Sequence, residues 1–290
     1  MLNVKRLEST DKNVWKYVFM NGEVVYEAVL YRYNDFNERT VICCSVQSGC
    51  PVGCLFCGTG SKFIRNLTSG EIVHQVLHIL ADQGINPNDV ERLQVMFMSM
   101  GEPMLNWLNV SQAISGLRHT SLVKVELLIS TVGIDDYNAN CDMTWLSKSV
   151  PHVGLQFSIH RSTNEERDKL IPYKNKMTLE QIRDCGIYWQ QEVGRKPYLN
   201  YCVDGTNASQ EDFERLYQLF SPGVFNFTFS VVCSKDETMK DAGYRELGAI
   251  REFEKYFIDA GYDTRIFDPA GQDDIGGGCG MLWHFQRESS

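Results

Sequence analysis

The chain has 290 residues, 43% of them hydrophobic, enough for one large α/β barrel or two ordinary domains with a sizeable core. No apolar run reaches the ~18 residues of a membrane span, and Met1-Leu2-Asn3-Val4-Lys5-Arg6 lacks the apolar stretch of a secretory signal. A net charge of −9 argues against broad, non-specific nucleic-acid binding, which rests on neutralising phosphates, and ten cysteines without a signal read as reduced thiols and ligands in the cytoplasm.

Residues 15–33 read as a β-hairpin. Trp15-Lys16-Tyr17-Val18-Phe19-Met20 is rich in strand formers, and Asn21-Gly22 supplies a two-residue turn in which both positions take positive φ. The return strand carries Glu27 among apolar neighbours. A strand–helix rhythm follows. Thr40-Val41-Ile42-Cys43-Cys44-Ser45-Val46 is a short buried strand. Its neighbours Cys43 and Cys44 point to opposite faces, so one faces the interior; a buried cysteine acting as a small hydrophobe is the default.

The next loop holds Cys50, Cys54 and Cys57 at C-x3-C-x2-C spacing, broken by Pro51 and Gly53. Thiolates are soft ligands that suit iron–sulfur clusters, zinc and copper(I). A four-iron cluster normally takes four cysteines. Here the next cysteine is Cys141, so three thiolates would leave one iron open. Structural zinc is the competing reading, but such sites are closed, four-coordinate and built on paired short spacings.

Thr68-Ser69-Gly70-Glu71 is a capping-box pattern opening a helix over 69–83. Strands are predicted at 94–100, 125–131, 154–160, 198–203, 225–232 and 264–267. Helices are predicted at 107–118, 143–149, from Thr178 to about 192, from Ser209 onward, and at 241–260. The charged stretch 161–176, which includes Arg161, Arg167 and Lys176, reads as a solvated helix face. Alternating strands and helices of this length imply parallel βαβ units, and six of them suit a partial (β/α)6 barrel of the TIM type.

In such barrels chemistry gathers at the C-terminal ends of the strands. The cysteine loop, Gly101-Glu102, Ser130, Ser158-Ile159-His160 and Asn207 all fall there. A strand-end carboxylate such as Glu102 can bind an ammonium group. Taken singly, a strand-end serine commonly caps a helix and a histidine commonly sits satisfied in the core; their shared position favours one site. Cys279 lies in Asp274-Ile275-Gly276-Gly277-Gly278-Cys279-Gly280, where glycines permit unusual dihedrals and close approach to a ligand. Cys44, Cys141, Cys185, Cys202 and Cys233 read as core.

The cysteine triad, with Phe56 before its last member, resembles the radical S-adenosylmethionine (SAM) superfamily. Further segments resemble the RlmN/Cfr family of radical SAM RNA methyltransferases, in family order. They are Cys43 to Cys50, Leu67 to Ile72, Met98 to Pro103, Ser130 to Gly133, Ser158-Ile159-His160, Asp204 to Asn207 and Asp274 to Leu282. The resemblance covers the chain from about Glu27 to Leu282.

The resemblance implies a 4Fe–4S cluster on Cys50, Cys54 and Cys57 whose open iron is chelated by SAM. It implies a SAM site from Gly101, Glu102, Ser130, Ser158, Ile159, His160 and Asn207. It further implies that Cys279 is methylated by one SAM, and that a deoxyadenosyl radical from a second SAM takes hydrogen from that methyl. The carbon radical would add to C2 or C8 of an adenine in RNA, Glu27 would remove the proton, and Cys43 would attack Cys279, releasing product and leaving a disulfide. An electron donor such as flavodoxin or ferredoxin is implied as a partner.

On this reading residues 1–36 are a hairpin extension and 37–290 the radical SAM barrel with a Gly-rich catalytic tail. The family carries an N-terminal RNA-binding domain, whereas here little precedes the hairpin, and the segment before Asp274 lacks the family's arginines. With the acidic charge, this favours a small or presented RNA over whole ribosomal RNA. The alternatives are the same mechanism on a nucleotide, small molecule or peptide, and a non-catalytic iron–sulfur, SAM-binding sensor. A sensor has no need of Cys43, Cys279 and Glu27.

Overall fold

The structure is a computed structural model that describes residues 2–119, 122, 124–231, 239–267 and 275–276. Cys279 and Cys233 lie outside the described residues.

Three antiparallel strands open the chain: β1 (Asn3–Glu8), β2 (Val14–Asn21) and β3 (Val24–Tyr33). The β2–β3 hairpin matches the sequence reading, with one shift. Asn21 pairs with Val24, so the turn residues are Gly22 and Glu23, and of these only Gly22 has positive φ, at 63°. That is the pattern of a turn with glycine at its first central position, rather than one with two positive φ values. Strand β1 was not expected; it pairs with β2 along its whole length but is mostly exposed, so its apolar pattern is faint.

The barrel follows. Strand β4 (Arg39–Cys44) leads through the cysteine loop, flanked by the short pair β5 (Gln47–Gly49) and β6 (Phe63–Asn66), to helix α1 (Ser69–Asp82). Then come β7 (Arg92–Phe97), α2 (Trp107–His119), β8 (Glu126–Thr131), α3 (Tyr137–Ser149), β9 (Val153–Ser158), α4 (Asn164–Leu170) and α5 (Leu179–Val193). The chain continues with β10 (Tyr198–Val203), α6 (Gln210–Leu219), β11 (Asn226–Val231), α7 (Met239–Asp259) and β12 (Thr264–Phe267). The large sheet runs β1-β2-β3-β4-β7-β8-β9-β10-β11-β12, parallel from β4 onward. Strands β4, β7, β8, β9, β10 and β11 each feed a helix, which gives the expected six-unit partial barrel. The sheet curls until Tyr31 of β3 meets Phe267 of β12 edge-on, with ring centroids 6.0 Å apart.

Local chemistry sets several helix starts. Thr68 and Glu71 form the expected capping box on α1, and Thr178 with Gln181 forms another on α5. Helix α3 starts earlier than the sequence reading because Asp136 caps it, accepting from the Ala139 N–H. Cys141 and Cys185, read as core, are only half-buried.

Asn106 fastens the cysteine loop to the barrel. It is buried, and its side-chain amide donates to the carbonyls of Val46 (2.7 Å) and Leu67 (2.8 Å), on either side of the loop. Val46 O keeps the Leu67 N–H as a donor (3.1 Å), but removing Asn106 strands the Leu67 carbonyl, and a buried acceptor left unmade costs roughly 1–3 kcal/mol. Asn106→Ala is therefore expected to lose at least about 1–3 kcal/mol in denaturant unfolding. An unchanged midpoint would show that the Leu67 carbonyl finds another donor.

Candidate active site

The loop after β4 is held at both ends by backbone bonds. The N–H groups of Val46 and Gln47 donate to the Met100 carbonyl, and Cys50 N–H donates to Lys62 O at 2.9 Å. Gly49 has φ 79°, and a Cβ there would sit 1.9 Å from Lys62 O, so no other residue fits without moving the strap. Inside the loop Cys57 N–H donates to Cys54 O, and Leu55 N–H donates to Leu170 O at the end of α4.

Cys50, Cys54 and Cys57 line one cavity with Phe56, Gly101, Glu102, Ser130, Ser158 and His160. The structure thus brings together most of the residues picked from sequence. Burial pushes the Cys50 thiol up to about 12 and raises that of Cys54 further above its usual range, with the other thiolates and Glu102 adding to the rise. Burial thus favours the neutral form of these two thiols, and ligation of a metal centre would displace their protons. Among the described residues no three His, Cys, Asp or Glu side chains converge on a single-ion point. The thiols instead line a shared space, and this soft donor set fits an iron–sulfur cluster.

Glu102 faces the thiols from the end of β7. It is 3% exposed. One carboxylate oxygen accepts from Thr131 Oγ1 (2.5 Å) and Met104 N–H (3.0 Å), the other from Val132 N–H (2.8 Å). A carboxylate offers about four acceptor sites, so one remains for the cavity. Burial dominates and raises its pKa to about 7, against the pull of those three donors. Gly101 has φ 98°, and a Cβ there would lie 2.5 Å from the Gln47 side chain, whose Oε1 accepts from Glu102 N–H. Ser130 Oγ accepts from Gln156 Nε2 at 3.1 Å.

His160 adopts φ 59°, unusual for a side-chain-bearing residue, and its Nδ1 accepts from Cys202 N–H at 3.1 Å. Burial, with Arg167 and Arg161 adding to it, lowers its pKa to about 3, so the ring is neutral. It meets Phe56 edge-on at 5.2 Å. Ile159 and Asn207 are not among the residues lining the cavity. Ile159 is fully buried. Asn207 uses its amide within the fold: Nδ2 donates to the carbonyls of His160 and Cys202, and Oδ1 accepts from Asp204 N–H.

Arg167 corrects the reading of 161–176 as a solvated face. It is 1% exposed and donates to the carbonyls of Met177 (2.8 Å) and Val132, with a longer contact to Ser158. It lies within electrostatic range of Cys54 and Glu102. Its neighbours in sequence are charged, which hides its burial from any local pattern.

Glu27 is fully buried on β3 and pairs with Lys16 of β2 at 2.7 Å. Lys16 Nζ also donates to Gly276 O at 3.3 Å, which ties that residue to the hairpin. The Glu27 carbonyl accepts from Ser45 Oγ and from Ser99 Oγ (2.7 Å). Cys43 lines a second cavity inside the barrel, which shares Met98, Ser99 and Asn200 with the cysteine-loop cavity. Cys44 points away, fully buried, its thiol toward Met96 O. Lys16 was missed from sequence: a lysine in a strand reads as surface.

A six-unit partial barrel whose first strand–helix loop carries three thiols opposite a strand-end carboxylate has the architecture of a radical SAM enzyme. A radical SAM methyltransferase from Sphaerobacter thermophilus superposes with a TM-score of 0.82 at 25% identity, over 97% of this chain and 80% of that one. SuiB from Streptococcus suis, solved with S-adenosylmethionine, shares the fold at a TM-score of 0.55 and 13% identity, over 81% of this chain and 51% of that one. No family model matches the chain. Curated relatives named probable dual-specificity RNA methyltransferase RlmN align along most of it. The Thermotoga petrophila protein is 30% identical over 96% of this chain and 77% of its own length, and that of Pseudothermotoga lettingae 32% over 96% and 78%. The chain belongs to the RlmN/Cfr-like family and is a radical SAM methyltransferase.

The Glu102 shift has a definite sign. Its folded pKa of about 7 lies above the ordinary 4.5, so the folded state binds the extra proton between those values. Stability therefore falls as pH rises through that window. In cluster-free protein, Glu102→Gln is expected to flatten this segment of the melting-temperature curve. An unchanged slope would mean that Glu102 is ionised throughout.

Proposed function

We propose that the chain methylates an adenine carbon, C2 or C8, in RNA through a methylated Cys279. The observation that carries this reading is Lys16 Nζ, which contacts both Glu27 and the carbonyl of Gly276. Only three peptide units separate Gly276 from Cys279, a reach of at most ~11 Å. The support is therefore Gly276, three residues before Cys279 in the sequence, lying beside the Glu27–Lys16 pair.

In this reading Cys50, Cys54 and Cys57 hold the cluster, and Glu102, with its remaining acceptor site, receives the ammonium group of SAM. Ser130, Ser158, Gly101 and His160 form the walls, while Ile159 and Asn207 act behind them by fixing the strand ends. Cluster and SAM, when bound, supply the electron, the methyl group and the hydrogen-abstracting radical. The protein's own side chains do the rest. Glu27 accepts the proton from the adenine carbon in a site closed to water by the hairpin. Cys43 attacks the sulfur of Cys279, forming a disulfide as the product leaves; a reductant must then restore both thiols.

Residues 1–36 are an extension that delivers Glu27 and Lys16, and 37–290 the catalytic barrel. The relatives' RNA methyltransferase names support RNA as acceptor, and the charge of −9 supports a small or presented RNA. A flavodoxin- or ferredoxin-type donor supplies the electron. A chain with ten cysteines, three of them read as cluster ligands, suits a reducing compartment such as the cytoplasm. Among the described residues no helix is long and apolar enough to cross a membrane.

The test is nucleoside mass spectrometry of RNA incubated with cluster-loaded protein, SAM and reductant. Methyladenosine is expected. Glu27→Gln should lower product formation by about 10²–10⁴-fold, the usual contribution of a general base, while SAM cleavage continues. Full product formation by Glu27→Gln would remove Glu27 from the mechanism.

A further inference from the structure

The cavity inside the barrel is distinct in its charge. Its described lining residues include Arg39 and Arg265 and no aspartate or glutamate, in a chain whose net charge is −9. Arg39 stacks over the Tyr33 ring at 4.2 Å, and its Nε donates to Gln94 Oε1 at 3.0 Å. Arg265 stacks over the Tyr198 ring at 4.0 Å. Its Nε donates to Thr228 Oγ1 (2.7 Å) and its Nη2 to Gln156 Oε1 (3.2 Å). Among the described residues neither guanidinium has a carboxylate partner. Burial lowers the pKa of Arg265, and the charges of Arg39 and Arg92 lower it further.

Both guanidiniums are half-buried, and two cations facing one cavity repel each other unless an anion compensates them. A guanidinium fork on an aromatic face matches phosphate geometry in particular. The cavity is also connected to the reaction centre. Gln156, which accepts from Arg265, donates to Ser130 of the cysteine-loop cavity. Cys43 lines the same interior space, and Met98, Ser99 and Asn200 border both cavities.

We propose that the barrel interior is a binding site for a phosphate monoester on the methyl-accepting nucleotide, held between Arg39 and Arg265. The inference rests on the proposed adenine methylation and adds the position of the acceptor's phosphate. A monoester carries close to two negative charges at neutral pH, which matches two guanidiniums; an internal RNA diester carries one. The monoester can belong to a free nucleotide or to the end of an RNA chain.

The experiment is anaerobic calorimetry on the full-length, cluster-loaded, SAM-bound protein with two ligand pairs, AMP against adenosine and pApA against ApA. At least tenfold tighter binding of AMP than adenosine supports the site with a free nucleotide. A tenfold preference confined to pApA over ApA supports it with an RNA terminus. In either case Arg265→Gln and Arg39→Gln should each abolish the preference. If the variants do not fold, competition by inorganic phosphate on the unmodified protein is the readout, and displacement of the phosphorylated ligand is expected. Equal affinities in both pairs, preferences that survive in folded variants, or no competition by phosphate would each overturn the inference. Failure of the underlying reading would show differently, as phosphate-dependent binding without methyladenosine from any acceptor.

Discussion

One buried carboxylate organises the mouth of this barrel. Glu102 receives Thr131 Oγ1 and Val132 N–H from the end of β8, Met104 N–H from its own turn, and offers its N–H to Gln47 of the cysteine loop. A single residue, through its carboxylate and its backbone N–H, thereby fixes the β7 and β8 ends against the loop that carries the three thiols. The arrangement has an energetic cost, since burial opposes the ionised form. The donors offset part of it and leave one acceptor site toward the cavity. That residual capacity is the sort of incomplete satisfaction expected where a ligand group completes the network.

The second constraint is the hairpin. Strands β1–β3 extend the barrel sheet on its β4 edge and bring the Lys16–Glu27 pair to Gly276. A buried ion pair is weak evidence for stability, because desolvation consumes most of the Coulombic gain. Its retention here is better explained by position: it sets a carboxylate at the barrel edge, with its backbone bonded to Ser45 and Ser99. In the proposed mechanism this makes the hairpin part of the site.

Much of this was legible in the sequence, for local reasons. Capping boxes at Thr68 and Thr178 announce helix starts because their donors and acceptors lie three residues apart. The thiol spacing announces its loop, and alternating elements announce the barrel. What escaped depends on contacts between distant residues. Arg167 is surrounded by charged residues in sequence, yet is buried by its contacts with Val132 and Met177. Asn207 fits a ligand-binding pattern, yet its amide is used by His160, Cys202 and Asp204. Lys16 and Arg265 acquire meaning only when the sheet curls and brings Gly276 and Gln156 to them. The hairpin turn slipped by one residue because Gly22 can occupy either central position, and strand pairing decides which.

The central claim is that the hairpin and the C-terminal segment bring Glu27, Cys43 and Cys279 to one reaction. The most direct measurement is peptide mass spectrometry of anaerobically purified protein. The account predicts a single added methyl group on Cys279. A Cys279 that remains an unmodified thiol after incubation with SAM and a reconstituted cluster would contradict it, leaving a radical SAM methyltransferase that works by another route.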